Sequence, residues 1–532
     1  MVTKSVTRTV NAPALTHRQV LRILSGLLLA MFLACLDQTI VSTAMRTIAD
    51  SLDGQTLQAW ATTAYLVTST VSTPLYGKLS DQYGRKPFYL FAISVFLVGS
   101  FLCGAAQSIY QLAAFRAVQG LGAGGLMSLC FAIIGDLVSP RERARYQAYI
   151  TSVFAVASVV GPVLGGFFAG SPSVLGIDGW RWIFFVNLPV GLAAMQLVSR
   201  RLVLPRNASR QRVDFLGAAL LTSTVVPVLL AAEQGRQWGW GSAGTLTLLV
   251  GAVTALALFV VHEARVGADA ILPLRIFRDR DFTVASGVAA LMGMAMFGGL
   301  VLVPLYLQIV RGDSPTVAGL RMLPFVGGIV VASLISGRAL LRTGRYRVFP
   351  ILGTAMVGAG LLLLSTVTVD TPIVLVMSFM APIGLGLGLT IQMLMVSVQN
   401  AARPEDMGLS TAGVTFFRAM GGTIGAAVSL GVLFGTVVGN IKDRLLDSPY
   451  RSFVGQVTAN RLDDSHALLV GLPQPLKRLV LEGFADSMHT VFLVVGLLVV
   501  PAFVLTLLIR EVPLGTSSGL EQKRQQEPAL AD

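Results

Sequence analysis

Two residues stand where charge is costly. Asp37 lies within the apolar run LRILSGLLLAMFLACLDQTIVSTAM (21–45), and Arg116 lies within a second run, 109–135. A helix over 21–45 would cross a hydrocarbon core of roughly 30 Å at about 1.5 Å per residue. A carboxylate inside such a span costs roughly 2.5–3.5 kcal/mol on insertion scales, so it faces protein or water rather than lipid. By itself Asp37 fits a proton or cation site, a helix–helix hydrogen bond, or an acid wetted near the interface. Each of the two charges falls about seven residues, roughly 10 Å, from the outer end of its own run. Equal depth lets them pair, and neither is easily buried alone. Protonating Asp37 would remove the attraction, which makes the pair a switch coupled to proton entry. The bland alternative is a static buried pair, which contributes little net stability.

Other chemistries find no support. The four histidines (His17, His262, His466, His489) lack metal-ligand spacing, so no metal site is expected. The three cysteines, Cys35, Cys103 and Cys130, all fall in apolar runs and read as packing residues. No nucleophile constellation points to an enzyme, and no phosphate-binding loop points to ATP.

The elements that must hold the pair are membrane helices. The chain has 532 residues, 54% hydrophobic and 13% charged. Soluble domains carry about 25% charged residues. We read fourteen spans at about 21–45, 57–77, 87–107, 109–135, 146–170, 178–199, 213–232, 242–262, 282–309, 315–340, 347–367, 371–398, 408–438 and 488–509. The net charge of +13 would suggest nucleic acid in a soluble protein. Here the basic residues gather in short loops at 80–87, 139–146, 199–212, 277–281 and 340–347, which places those loops and both termini in the cytoplasm and leaves nucleic acid unneeded. The outside segment 439–487 mixes charge with apolar stretches such as LKRLVLEGF (476–484), a loop or a helix lying on the membrane. The tail 510–532 is polar, and the expected N-terminal tail is 1–20.

The loop after span two runs Gly77-Lys78-Leu79-Ser80-Asp81-Gln82-Tyr83-Gly84-Arg85-Lys86. Asp81 could cap a neighbouring helix or pair with Arg85, a polar clasp able to break and reform. In span four, Arg116, Gly120 and Gly124 share a face, so a neighbouring helix can approach closely. In span five, Ala157, Gly161, Gly165 and Ala169 form a small-residue face beside Pro162 and Gly166. The G-x-L-x-D-x-x-G-R-K loop resembles the signature loop of the major facilitator superfamily. Arg116-Ala117-Val118-Gln119-Gly120 resembles its fourth-helix motif, in which the arginine is linked to proton transfer. Gly161-Pro162-Val163-Leu164-Gly165-Gly166 resembles its antiporter motif, with Ala157 where a glycine is usual.

Further strings are similar to the fourteen-helix drug:proton antiporters of the QacA/EmrB type. They are Leu36-Asp37-Gln38-Thr39-Ile40-Val41 (with Ser42 in place of the usual Asn), the run Trp180 to Gly191, the run Pro304-Leu305-Tyr306-Leu307-Gln308, and Phe417-Arg418-Ala419-Met420-Gly421-Gly422. The second-half copy of the loop, Gly337 to Arg347, lacks the acid, and spans ten and thirteen carry no acid.

The resemblance implies an all-α major facilitator fold. Six-helix bundles at 21–199 and 282–509 would flank two inserted helices at 213–262. It further implies a bacterial cytoplasmic-membrane protein, monomeric, exporting lipophilic or singly charged cationic drugs by alternating access. The energy source would be the proton gradient, with no cofactor. Asp37 and Arg116 would couple the proton, and the span-five glycines would govern packing that changes with state. A carrier of one endogenous solute or lipid, or a scaffold with no flux, are the alternatives. The hydroxyls of span two and the methionines of later spans suit an adaptable cavity for an amphiphile. Its expected lining is Tyr65, Thr68, Gln119, Met296, Tyr306, Gln392, Met393 and Arg418, with Glu233 an interfacial acid that could attract cations.

Overall fold

Helix starts are written in the local sequence. The structure, a computed structural model, describes residues 16–54, 57–202, 214–267, 270–403, 406–456 and 472–515. Helix α1 (His17–Ser51) opens with a capping box in which Thr16 and Gln19 satisfy each other's backbone N–H. Helices α2 (Gln58–Tyr83) and α3 (Arg85–Ala105) meet at Gly84, whose φ of 101° is open to glycine at no steric cost. Helix α4 (Ile109–Leu137) is capped by Ser108, and α5 (Pro140–Gly170) begins on a proline, whose missing N–H is not needed there.

A two-stranded hairpin, β1 (Ser173–Val174) with β2 (Ile177–Asp178), leads into α6 (Trp182–Phe185) and α7 (Asn187–Arg201). Then come α8 (Phe215–Trp238), α9 (Ala243–Val266), α10 (Arg280–Leu305), α11 (Pro315–Arg321), α12 (Leu323–Thr343), α13 (Val348–Ser365), α14 (Ile373–Ala401), α15 (Met407–Leu446) and α16 (Gln474–Leu507).

The packing repeats. In the first half α1 lies against α5 and α7, α2 against α4, and α3 against α4 and α7. In the second half α10 lies against α15 and α16, α12 against α14, and α13 against α14 and α16. The two halves meet along seams that the same exchange relates, α5 with α12 and α2 with α15. The inserted pair α8–α9 stands outside, with α8 laid over the α2–α15 seam and Trp238 of α8 tilted on Trp60 of α2.

Thirteen helical segments among the described residues are long and apolar enough to cross a membrane. Helix α2 is not one of them, because hydroxyls interrupt it. Protein covers it instead, from α4, α15 and α8. Thr68, Ser69, Ser72 and Thr73 donate to carbonyls of their own helix, which removes the cost of bare hydroxyls in an apolar setting.

Two spans carry internal breaks, and one expectation is corrected. The span 178–199 holds as a crossing, Gly179–Arg201, with a break between α6 and α7 because Pro189 has no N–H for the Phe185 carbonyl. The span 315–340 likewise holds as a crossing, Val317–Thr343, broken at Met322 because Pro324 has no N–H to continue the helical ladder. The segment 439–487 is not a long loop, because α15 runs on to Leu446 and α16 starts at Gln474. LKRLVLEGF is therefore not a helix on the membrane surface. Its apolar side, Leu476, Val480 and Phe484, is buried in a hairpin with Ile441 and Leu445. Its polar side sets Glu482 and Asp486 against Arg444 at 2.7 and 2.6 Å. Residues 457–471 of that segment, 203–212 of the fourth basic stretch, 1–15 of the N-terminal tail and 516–532 of the C-terminal tail lie outside the described residues.

Candidate functional site

Five helices bring polar side chains to one point. Asp37 on α1 is fully buried, and Arg116 on α4 is 1% exposed. The Arg116 guanidinium donates to Asp37 Oδ2 and, at 2.7 Å, to Gln119 Oε1. Asp37 Oδ1 accepts from Gln119 Nε2 at 2.8 Å and from Asn187 Nδ2 at 3.1 Å. Both amides also donate to Ser100 Oγ on α3, at 2.9 and 2.8 Å. The Tyr65 ring of α2 covers the guanidinium, 4.0 Å from its carbon, a cation–π geometry. Two neutral amides thus hydrogen-bond the ion pair and Ser100 holds both amides, which is what makes burial of two charges tolerable.

The residues that let these helices approach are small. On α4, a side chain at Gly120 would strike Tyr65 and Thr68, and one at Gly124 would strike Ser69 and Ser72. On α5, Gly161 faces Thr39 and Gly165 faces Thr43, and Thr39 donates to the Ala157 carbonyl at 3.0 Å. Pro162 faces the other half, across from Gly319 of α11. Gly166 has open space where a side chain would stand, so close packing does not require it.

An open cleft lies between the halves. Tyr65, Met296, Gln392 and Arg418 line it as expected. The other expected lining residues do not. Thr68 packs on Gly120, and Gln119 is spent on Asp37. Tyr306 lies past the end of α10 and donates to the Thr368 carbonyl at 3.0 Å. Met393 is fully buried, one residue round the helix from Gln392. Residues that sequence reasoning passed over as lining include Gln38, Gln147 and Phe154. Asp37 does not line the cleft; Tyr65 stands between, touching both cleft and ion pair. Asn187 was missed as a partner of Asp37, and Ser100 as the hydroxyl that holds both amides. The signal for Asn187 was an amide in the apolar run 178–199, the same kind of signal that drew attention to Asp37. Glu233 belongs to α8, and its side chain is outside the described residues.

Hydrogen bonds that join the halves cluster at the end bearing loops 80–87 and 139–146. Asp81 does both things its position allowed. It pairs with Arg85 at 2.5 Å, and its Oδ2 accepts from the Leu409 N–H in the first turn of α15 at 2.9 Å. Arg85 also binds Asp136 at 2.8 Å, Gly77 sits against Ala412, and Lys86 donates to the Ser199 carbonyl at 2.7 Å. Arg143 donates to the Gln399 carbonyl at 2.9 Å, and Arg141 to the Leu341 carbonyl at 2.8 Å. The second-half loop meets the first half there through its Leu341 carbonyl, not through an acid of its own. Its Tyr346 and Arg347 donate to carbonyls at the end of α16.

Two repeated helical bundles facing each other across an apolar cleft form a polytopic membrane transporter. The match to a family model makes this specific: residues 27–426 fit the Major Facilitator Superfamily, and the chain belongs to it. An uncharacterized transporter of the same type from Mycobacterium tuberculosis is 38% identical over 493 residues, covering 92% of this chain and 70% of that one. A multidrug transporter protein of Bacillus subtilis is 32% identical over 530 residues, covering 96% of each. The proton:xylose symporter XylE superposes with a TM-score of 0.58 at 14% identity, over 96% of this chain and 99% of that one, a likeness of fold.

Proposed function

We propose that this transporter exports lipophilic compounds from the cytoplasm in exchange for protons. The observation that carries the reading is the Asp37–Arg116 pair, buried with its hydrogen-bonding partners behind Tyr65, which also forms the wall of the cleft. A proton on Asp37 removes the attraction to Arg116 and leaves Gln119, Ser100 and Asn187 to re-pair. Substrate in the cleft and a proton at Asp37 then act on one shared side chain, Tyr65. The change spreads through the α1–α5 contact to the α5–α12 seam, and the clasp of Asp81 on α15 opens as the halves rock. The relatives include multidrug transporters, which supports the efflux direction. The excess of basic residues in the short loops supports a cytoplasmic position for that end and for both termini, in a bacterial cytoplasmic membrane. The protein works as a monomer, without metal or cofactor, on a small amphiphile.

The test is Asp37→Asn in proteoliposomes under an imposed pH gradient. Asparagine keeps the shape and cannot exchange the proton. Gradient-driven export is expected to fall by about tenfold or more, the scale on which a coupling residue acts. Unchanged export would sink the coupling role.

A further inference from the structure

The cleft contains a cation with no matching anion. Arg418 of α15 lines it, and no Asp or Glu does among the described residues. Its aromatic contact is long, 5.8 Å to the Phe131 ring. The contrast with Arg116 is direct: that guanidinium is matched by a carboxylate and an amide. The backbone beneath Arg418 is held firmly. Its carbonyl lies where a side chain at Gly293 of α10 would stand, and Gly421 and Gly425 press α15 onto Ala290 and Met294. The side chain is thus presented to the cleft by a rigid pair of helices.

We propose that the substrates are amphiphilic organic anions whose single negative group binds Arg418. This rests on the reading of the chain as an exporter of lipophilic compounds and narrows it. A guanidinium offers a planar fork of donors to a carboxylate, sulfonate or phosphate, and charge-assisted bonds of this kind are the strong ones. An apolar body finds Met31, Phe154, Met296 and Phe297 on the surrounding walls. Gln147, 1% exposed, also lines the cleft, and its Oε1 has no hydrogen-bond partner. It can accept from a hydroxyl or amide on the same ligand. A cationic drug would meet a like charge in a space of low polarity, with no carboxylate to offset it. The expectation of singly charged cations therefore gives way to the opposite sign.

The experiment measures binding to the full-length protein in nanodiscs of zwitterionic lipid, with empty discs subtracted and no gradient applied. The probes share one apolar body and carry permanent charge or none: 1-pyrenesulfonate, 1-pyrenylmethyltrimethylammonium and 1-pyrenemethanol. Wild-type protein is expected to bind the sulfonate about tenfold or more tighter than the ammonium. Arg418→Gln is expected to weaken the sulfonate about tenfold and leave the alcohol unchanged, and Arg418→Lys to keep most of the preference. Equal or tighter binding of the ammonium by the wild type would overturn the proposal, and so would an Arg418→Gln variant that holds the sulfonate as well as wild type. Because no proton gradient is present, either result stands apart from the Asp37→Asn export assay.

Discussion

At the scale of residues, the distinguishing feature is that each charge in the first bundle's interior is answered. Asp37 receives hydrogen bonds from Arg116, Gln119 and Asn187, so it acts as the hub of a network rather than one half of a pair. Networks of this kind are not additive. Asn187→Ala removes one donor from a buried carboxylate and is expected to cost about 1–3 kcal/mol of stability, read as thermal unfolding in detergent. In the Asp37→Asn background the same change should cost much less, because the charge it served is gone. Additive losses in that double-mutant cycle would show that Asn187 supports the fold independently of Asp37.

At the scale of elements, glycines decide which helices can move together. Gly161 and Gly166 belong to the same sequence motif, and the structure separates their roles. Gly161→Ala pushes a methyl into Thr39 of α1 and is expected to cost roughly 1–3 kcal/mol, with export falling in parallel. Gly166→Ala meets open space and is expected to leave thermal stability and export near wild type. Equal effects of the two variants would show that the motif acts through something other than the α1–α5 contact. Helix α2 gives a second lesson. A hydropathy criterion leaves it out, yet it is among the most enclosed helices because α8 covers the side that lipid would otherwise touch.

At the scale of the molecule, the two halves touch most specifically at the basic-loop end. Asp81 is the hinge pin there, tying its own helix end to Arg85 and to the first turn of α15. The second-half loop, lacking the acid, ties its own side chains down at the end of α16 and offers the first half only its Leu341 carbonyl among the described residues, so the internal repeat is asymmetric at its clasp. Asp81→Ala is expected to favour opening at this end. Ala412→Cys, placed opposite Gly77, reports it by reaction with a membrane-impermeant maleimide. Labelling from the loop side should be several-fold faster when Asp81→Ala is added, since population shifts of about 1 kcal/mol change exposure about fivefold. An unchanged rate would mean the Arg143 and Arg141 contacts hold the end shut without Asp81.

Much of this was legible without coordinates. Apolar runs long enough to cross a bilayer set the helical class, and equal depth set Asp37 beside Arg116, because both follow from rise per residue along a single helix. The i, i+4 spacing of glycines likewise announced close approaches. What depended on rotation about a helix axis and on contacts distant in sequence was not legible. One residue's difference puts Gln392 in the cleft and Met393 in the core; Thr68 and Gln119 turned inward, Asn187 reached Asp37 from a helix far along the chain, and Ser100 met the amides that serve it. The sequence determined which residues must avoid lipid, since that is a property of each side chain. Only the tertiary structure decided which of them answer one another and which, like Arg418, are left facing the cleft, since that depends on how rigid helices are packed.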